Sequence, residues 1–141
     1  MTAKEATMFK KIDHVEIVIA ELERAIQFYT DVLGFKLRAR ERIDRSSLGV
    51  SLDLAYLDLG ATAIELIAYG GPVAPAPTQE HLGYRMMALE VADMQGAIEY
   101  LKTKNVPVTW GPRVREGEYA RAEIRDPDGH SIELRHWFRH T

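Results

Sequence analysis

From residue 12 to residue 19 apolar and polar side chains alternate, so that Val15, Ile17 and Ile19 share one face of an extended segment and His14, Glu16 and Val18 share the other. The period then changes. Leu22, Ala25, Ile26, Tyr29 and Leu33 recur at helical spacing, and Gly34 suits the position just past a helix end. A strand is predicted here, followed by a helix over 22–33 whose apolar stripe covers it. Three more strands are predicted at 36–43, 50–59 and 62–69, the last two joined by Gly60 and Ala61 as a tight hairpin.

The segment GGPVAPAPTQ, residues 70–79, is rich in Gly and Pro, has no periodicity and reads as a linker. Beyond it the order returns: a strand over 84–91, then a helix capped by Asp93, with Met94, Ala97, Ile98 and Leu101 as its buried stripe, ending near Asn105. Strands follow at 106–109, 119–125 and 130–136. Asp126, Pro127, Asp128 and Gly129 join the last two as a type I turn, and residues 110–118, with two glycines and a proline, read as a mobile loop.

The return is a repeat in the residues themselves. HVEIVIAELERAIQFY from His14 aligns with MMALEVADMQGAIEYL from Met86, 72 positions later, and Ala25-Ile26 fall on Ala97-Ile98. A long repeat used only twice is a duplicated supersecondary unit rather than a solenoid. The expectation is one domain, 1–141, of class α+β: two paired βαβββ modules, about 10–70 and 82–138, forming a cup-shaped mixed sheet with function where the halves face each other.

Composition narrows the partners. The 141 residues, 46% hydrophobic, are enough to bury a sizeable core, and a net charge of -3 without Lys/Arg runs argues against nucleic acid or a membrane surface. The absence of cysteine excludes disulfides, thiolate metal sites and a Cys nucleophile. No apolar stretch approaches the roughly 20 residues that cross a bilayer, and the first residues lack a signal-peptide core, so a cytoplasmic protein is expected.

Two carboxylates stand out. Glu65 lies between Ile64 and Leu66, and Glu133 between Ile132 and Leu134, each in the fourth strand of its module and each pointing away from the helix-covered face. His14 and Met86 open the first strands. If the halves close around a pseudo-twofold axis, His14, Glu65 and Glu133 converge, with Met86 in the fourth corner.

The run HVEIVIAELERAIQFYTDVLGF from His14, with Phe28, Tyr29 and Leu33-Gly34-Phe35 at matching spacing, together with AIEL around Glu65 and DPDGHSIEL around Glu133, resembles the glyoxalase or vicinal oxygen chelate superfamily over nearly the whole chain. The resemblance implies a cup of paired modules around a divalent metal, often in a homodimer. Its metal positions fall on His14, Glu65, Met86 and Glu133. A histidine nitrogen and two carboxylate oxygens suit Zn, Ni, Co, Mn or Fe. Met86 departs from the usual His, and a thioether is a poor donor to such ions.

Two functions remain open at this point. One is a metal-dependent lyase or isomerase resembling glyoxalase I or methylmalonyl-CoA epimerase, which moves a proton beside a carbonyl with Glu133 as base. The other is a metal-free binder of small molecules, similar to bleomycin-resistance proteins. Arg38, Arg40 and Arg42 alternate as a solvated edge would, whereas Arg113, Arg115 and Arg121 lie on or beside the predicted loop, where recognition residues collect. Among the other histidines, His130 and His136 face away from Glu133, His140 lies in the tail, and loop-borne His81 is the one candidate to replace the missing ligand.

Overall fold

The structure, a computed structural model, describes residues 8–44, 47 and 49–139. The chain divides into two compact units with the boundary between Pro72 and Val73, inside the predicted linker. The first unit runs β1 (Val15–Val18), α1 (Leu22–Gln27), β2 (Lys36–Ile43), β3 (Leu52–Leu59) and β4 (Thr62–Tyr69). Its sheet has the order β1-β4-β3-β2, with β1 parallel to β4 and the other pairs antiparallel.

The second unit runs β5 (Met87–Glu90), α2 (Met94–Thr103), β6 (Trp110–Arg115), β7 (Tyr119–Arg125) and β8 (Ser131–Trp137), in the sheet order β5-β8-β7-β6. Two four-stranded mixed sheets, each with one helix, make the α+β fold of two βαβββ modules. The duplication is exact in register at the parallel pair. Val15 lies opposite Ile64 in β1 and β4, and Met87, its counterpart 72 residues on, lies opposite Ile132 in β5 and β8. Among the described residues no helix is long and apolar enough to cross a membrane.

Each core lies between a helix and one sheet face. In the first unit Ile17, Ile19, Ala25, Tyr29, Ala55, Leu57, Ile64 and Leu66 are buried; in the second Met94, Ile98, Leu101, Ala122, Ile124, Ile132 and Leu134 are. The apolar stripes read from periodicity therefore supply the cores. Asp93 caps α2 as predicted, its carboxylate accepting the Gly96 N–H at 2.8 Å. The Asp126 turn closes with Gly129 N–H donating to the Asp126 carbonyl at 3.0 Å.

Several elements differ from the sequence reading. The first helix keeps α geometry only to Gln27 and widens into a π-helical turn over Phe28–Val32. There the Thr30 hydroxyl donates to the Ile26 carbonyl at 2.7 Å, a side-chain bond that competes with the backbone ladder, and Leu33 N–H reaches back to Phe28 instead. In the second unit, residues 106–109 are not a strand, and the stretch read as a loop contains β6. Gly111 and Pro112 disguise it by sitting where the register slips between Trp110 and Arg113, on the sheet edge, where a missing N–H is tolerated. A side chain at 111 would meet the Arg121 carbonyl oxygen at 2.9 Å and would have to adopt a φ of +79°. The first strands are also shorter than the alternation implied, so that His14 and Met86 each stand one residue before their strand begins.

Candidate functional site

In the first unit the face turned away from α1 gathers a compact polar group. Parallel pairing sets Glu16 opposite Glu65, and antiparallel pairing sets Tyr56 on the other side of Glu65. His14, two residues before Glu16, projects over the same face. Its Nε2 lies 3.0 Å from a Glu65 carboxylate oxygen and 3.6 Å from one of Glu16, while its Nδ1 lies 2.8 Å from the Asp13 carboxylate. One donor atom from each of His14, Glu16 and Glu65 falls within 4.8 Å of the others.

The electrostatics follow from that packing. Glu65 is buried, with 5% of its surface exposed, and burial, reinforced by the neighbouring Glu16 charge, raises its carboxyl above the ordinary value. The hydrogen bond to Asp13 raises the His14 imidazole, with help from the Glu65 charge. Tyr56 hydrogen-bonds Glu65, and burial beside that carboxylate raises its phenol. The face continues in an apolar cluster of Leu52, Leu54 and Ile67, flanked by Ile43 and Tyr69, which offers carbon surface next to the polar group. A histidine turned by a carboxylate toward two further carboxylates is a donor set that suits a first-row divalent metal.

The second unit treats its equivalent carboxylate differently. Glu133, opposite Ala88, is 7% exposed, and both of its oxygens are taken by guanidinium groups. Arg121 Nη2 donates to one oxygen at 2.8 Å, and Arg135 donates to the other through Nε and Nη2, each at 3.0 Å. Arg121 also reaches Glu123 at 3.0 Å and stacks over Trp110 at 4.6 Å, and its Nε is buried without a hydrogen-bond partner. Arg135 lies 4.0 Å over the Tyr119 ring and 4.8 Å over that of Trp137.

His14 and Glu65 are therefore brought together within one unit, and Glu133 belongs to an arginine-rich face of the other. Met86 stands just before β5, where His14 stands before β1. Several participants escaped the sequence reading: Asp13 and Glu16, although both are close neighbours of His14 in the chain, and Tyr56 and Arg135, whose roles depend on cross-strand register. Of the other candidates, His136 accepts the Met94 N–H at 3.2 Å on the helix side of its sheet, away from Glu133. His81 is exposed and its Nδ1 lies 3.1 Å from the Gln79 carbonyl. His140 lies outside the described residues.

Arg38 and Arg42 pair with Asp58 and Asp53 across β2 and β3, and Arg40 pairs with Glu23. They form an ion-paired edge. Arg113 stacks over Trp110 and Arg115 pairs with Glu118. Both lie on β6 rather than on a mobile loop.

Residues 11–134 match the Glyoxalase/Bleomycin resistance protein/Dioxygenase superfamily. A lactoylglutathione lyase of Haemophilus influenzae is 32% identical over 128 residues, covering 88% of this chain and 90% of that protein. The crystal structure of a glyoxalase family protein from Bacillus cereus superposes with a TM-score of 0.80 at 22% identity, covering 99% of this chain and 100% of the other. An antibiotic-binding protein from a Streptomyces species superposes with a TM-score of 0.70 at 20% identity, covering 93% and 98%. At these identities the two structures share the fold.

Proposed function

Because the chain belongs to the Glyoxalase/Bleomycin resistance protein/Dioxygenase superfamily, we propose that it is a metal-dependent lyase or isomerase acting by proton transfer on the carbon beside a carbonyl. The observation that carries the reading is the pairing of His14 Nε2 with the buried Glu65 carboxylate at 3.0 Å, held in direction by Asp13. In this reading His14 and Glu65 hold the ion, and Glu133 is both the module-two donor and the base. When bound, the ion supplies Lewis-acid polarisation of the substrate oxygen.

The chain's own residues do the rest. Tyr56 steadies Glu65. The apolar cluster around Leu54 and Ile67 receives the carbon skeleton and excludes water. Glu133 is aimed by its two guanidinium partners, and Arg121, already shared with Glu123, has an alternative carboxylate to turn to when Glu133 takes up a proton. The kinship with the Haemophilus influenzae lyase supports the reaction class.

A second reading, a metal-free small-molecule binder, is favoured by Met86 at a donor position and by the neutralised state of Glu133; the likeness to the Streptomyces antibiotic-binding protein supports its fold. Deuterium exchange beside the carbonyl, with glutathione hemithioacetals and racemic acyl-CoA as first substrates, separates the two. Exchange that chelation abolishes is expected for the enzyme. With an active substrate in hand, Glu133→Gln should slow turnover by roughly 10²–10⁴, and Glu65→Gln by less. Parent-rate turnover by folded Glu133→Gln with metal bound would refute the role of Glu133. Failure of exchange together with failure to bind metal would favour the binder.

A further inference from the structure

The donor set read from the family pattern loses a ligand at Met86, and the first unit contains a side chain placed to make up the loss. We propose that Glu16 is a further metal ligand, joining His14 and Glu65 as the donors that the first module supplies to the ion. The inference rests on the metal-dependent reading of the same site and adds a residue to it.

Three observations carry it. The first is spacing. An ion that holds nitrogen and oxygen donors at about 2.0–2.2 Å keeps neighbouring donors roughly 3.0–3.5 Å apart. His14 Nε2 stands 3.0 Å from Glu65 and 3.6 Å from Glu16, and the three donor atoms lie within 4.8 Å of one another, so closure of the exposed Glu16 side chain moves them toward that spacing.

The second is orientation. Asp13 takes His14 Nδ1 at 2.8 Å and leaves Nε2 directed at the two glutamates, the arrangement in which a carboxylate behind a histidine orients it for an ion in front.

The third comes from comparing the two copies of the module. Glu65 and Glu133 occupy the same register position in parallel strand pairs, and both are buried. Glu133 faces Ala88 across the pair and is neutralised by Arg121 and Arg135. Glu65 faces Glu16, and around it stand a tyrosine, an imidazole and, behind the imidazole, Asp13. Like charges directly opposite on adjacent strands are destabilising. One copy thus carries its own fixed cations, whereas the other places a second carboxylate where a cation would neutralise both. The position of Glu16 also explains how the centre tolerates Met86: the donor that Met86 does not supply comes from two residues beyond His14.

Titration of the metal-stripped full chain with Co²⁺, followed by calorimetry and by the visible absorption of the bound ion, tests the assignment. The parent should bind one Co²⁺ per chain. Glu16→Gln, at an exposed position and checked for folding by circular dichroism, should weaken binding by at least about tenfold and change the visible spectrum; Glu133→Gln should weaken it less. Parent-like affinity and spectrum in Glu16→Gln would overturn the assignment. If Glu133→Gln then loses the ion, the centre draws on His14, Glu65 and Glu133, and the metal-dependent reading stands without Glu16. A parent chain that binds no Co²⁺ at millimolar concentration would overturn both.

Discussion

Replacing Glu133 by Gln should cost folding stability as well as any chemistry, and by an amount the structure allows to be estimated. The carboxylate is 10% exposed at the side chain, and the two guanidinium groups that hold it are 22% and 21% exposed. Gln keeps one oxygen for one arginine and turns an N–H₂ group toward the other, so one charge-assisted arm is lost, about 1.5–3 kcal/mol. Removing one partner from a fully buried pair costs about 3–5 kcal/mol. Partial exposure and the second carboxylate beside Arg121, Glu123 at 3.0 Å, lower that figure. A loss of about 2–3 kcal/mol is expected.

Urea unfolding followed by tryptophan fluorescence is the suitable assay, because both tryptophans, Trp110 and Trp137, lie in the second unit and stack on Arg121 and Arg135. A double-mutant cycle with Arg135→Met should give a coupling of about 1–2 kcal/mol. If Glu133→Gln unfolds within 0.5 kcal/mol of the parent, the threshold for an ordinary surface change, or if the cycle shows no coupling, the guanidinium groups do not hold this carboxylate in solution.

In the presence of chelator, stability should fall as pH rises. His14 is raised from its ordinary 6.5, so its contribution is complete below that value and is lost as pH climbs through the folded one; Glu65, raised from 4.5, gives a slope of the same sign at lower pH. Urea unfolding followed by circular dichroism at a series of pH values should show this, with the upper part of the slope missing in His14→Gln; an opposite slope would contradict the assigned environment. Met86→His should tighten divalent-metal binding by calorimetry, since each well-placed donor adds affinity, and unchanged or weaker binding in a folded variant would mean that residue 86 does not face the site. Light scattering should give twice the 16.0 kDa of the chain, because Trp137 and Phe138 are 41% and 45% exposed in the single chain and need cover; a monomer at micromolar concentration would remove the dimer.

The residues along the chain were enough to determine which face of each element is apolar, because side chains project with a period of 2 in strands and 3.6 in helices whatever the rest of the molecule does. That is why Ile17 and Ile19 in one unit, and Met94, Ile98 and Leu101 in the other, are buried as read. It also explains why the duplicated βαβββ order and the kinship were legible, and why His14, Glu65 and Glu133 stood out. β6 escaped because Gly111 and Pro112 interrupt its pattern, and only pairing with β7 makes it a strand.

The partners of the polar residues were decided by the tertiary structure alone. That Glu16 stands opposite Glu65, and that Arg121 and Arg135 close on Glu133, depends on the register between strands distant in sequence. Register is set by backbone ladders and core packing, not by any residue's own neighbours in the chain. Two glutamates in matching sequence contexts therefore acquire opposite surroundings, one among carboxylates and an imidazole, the other between guanidinium groups.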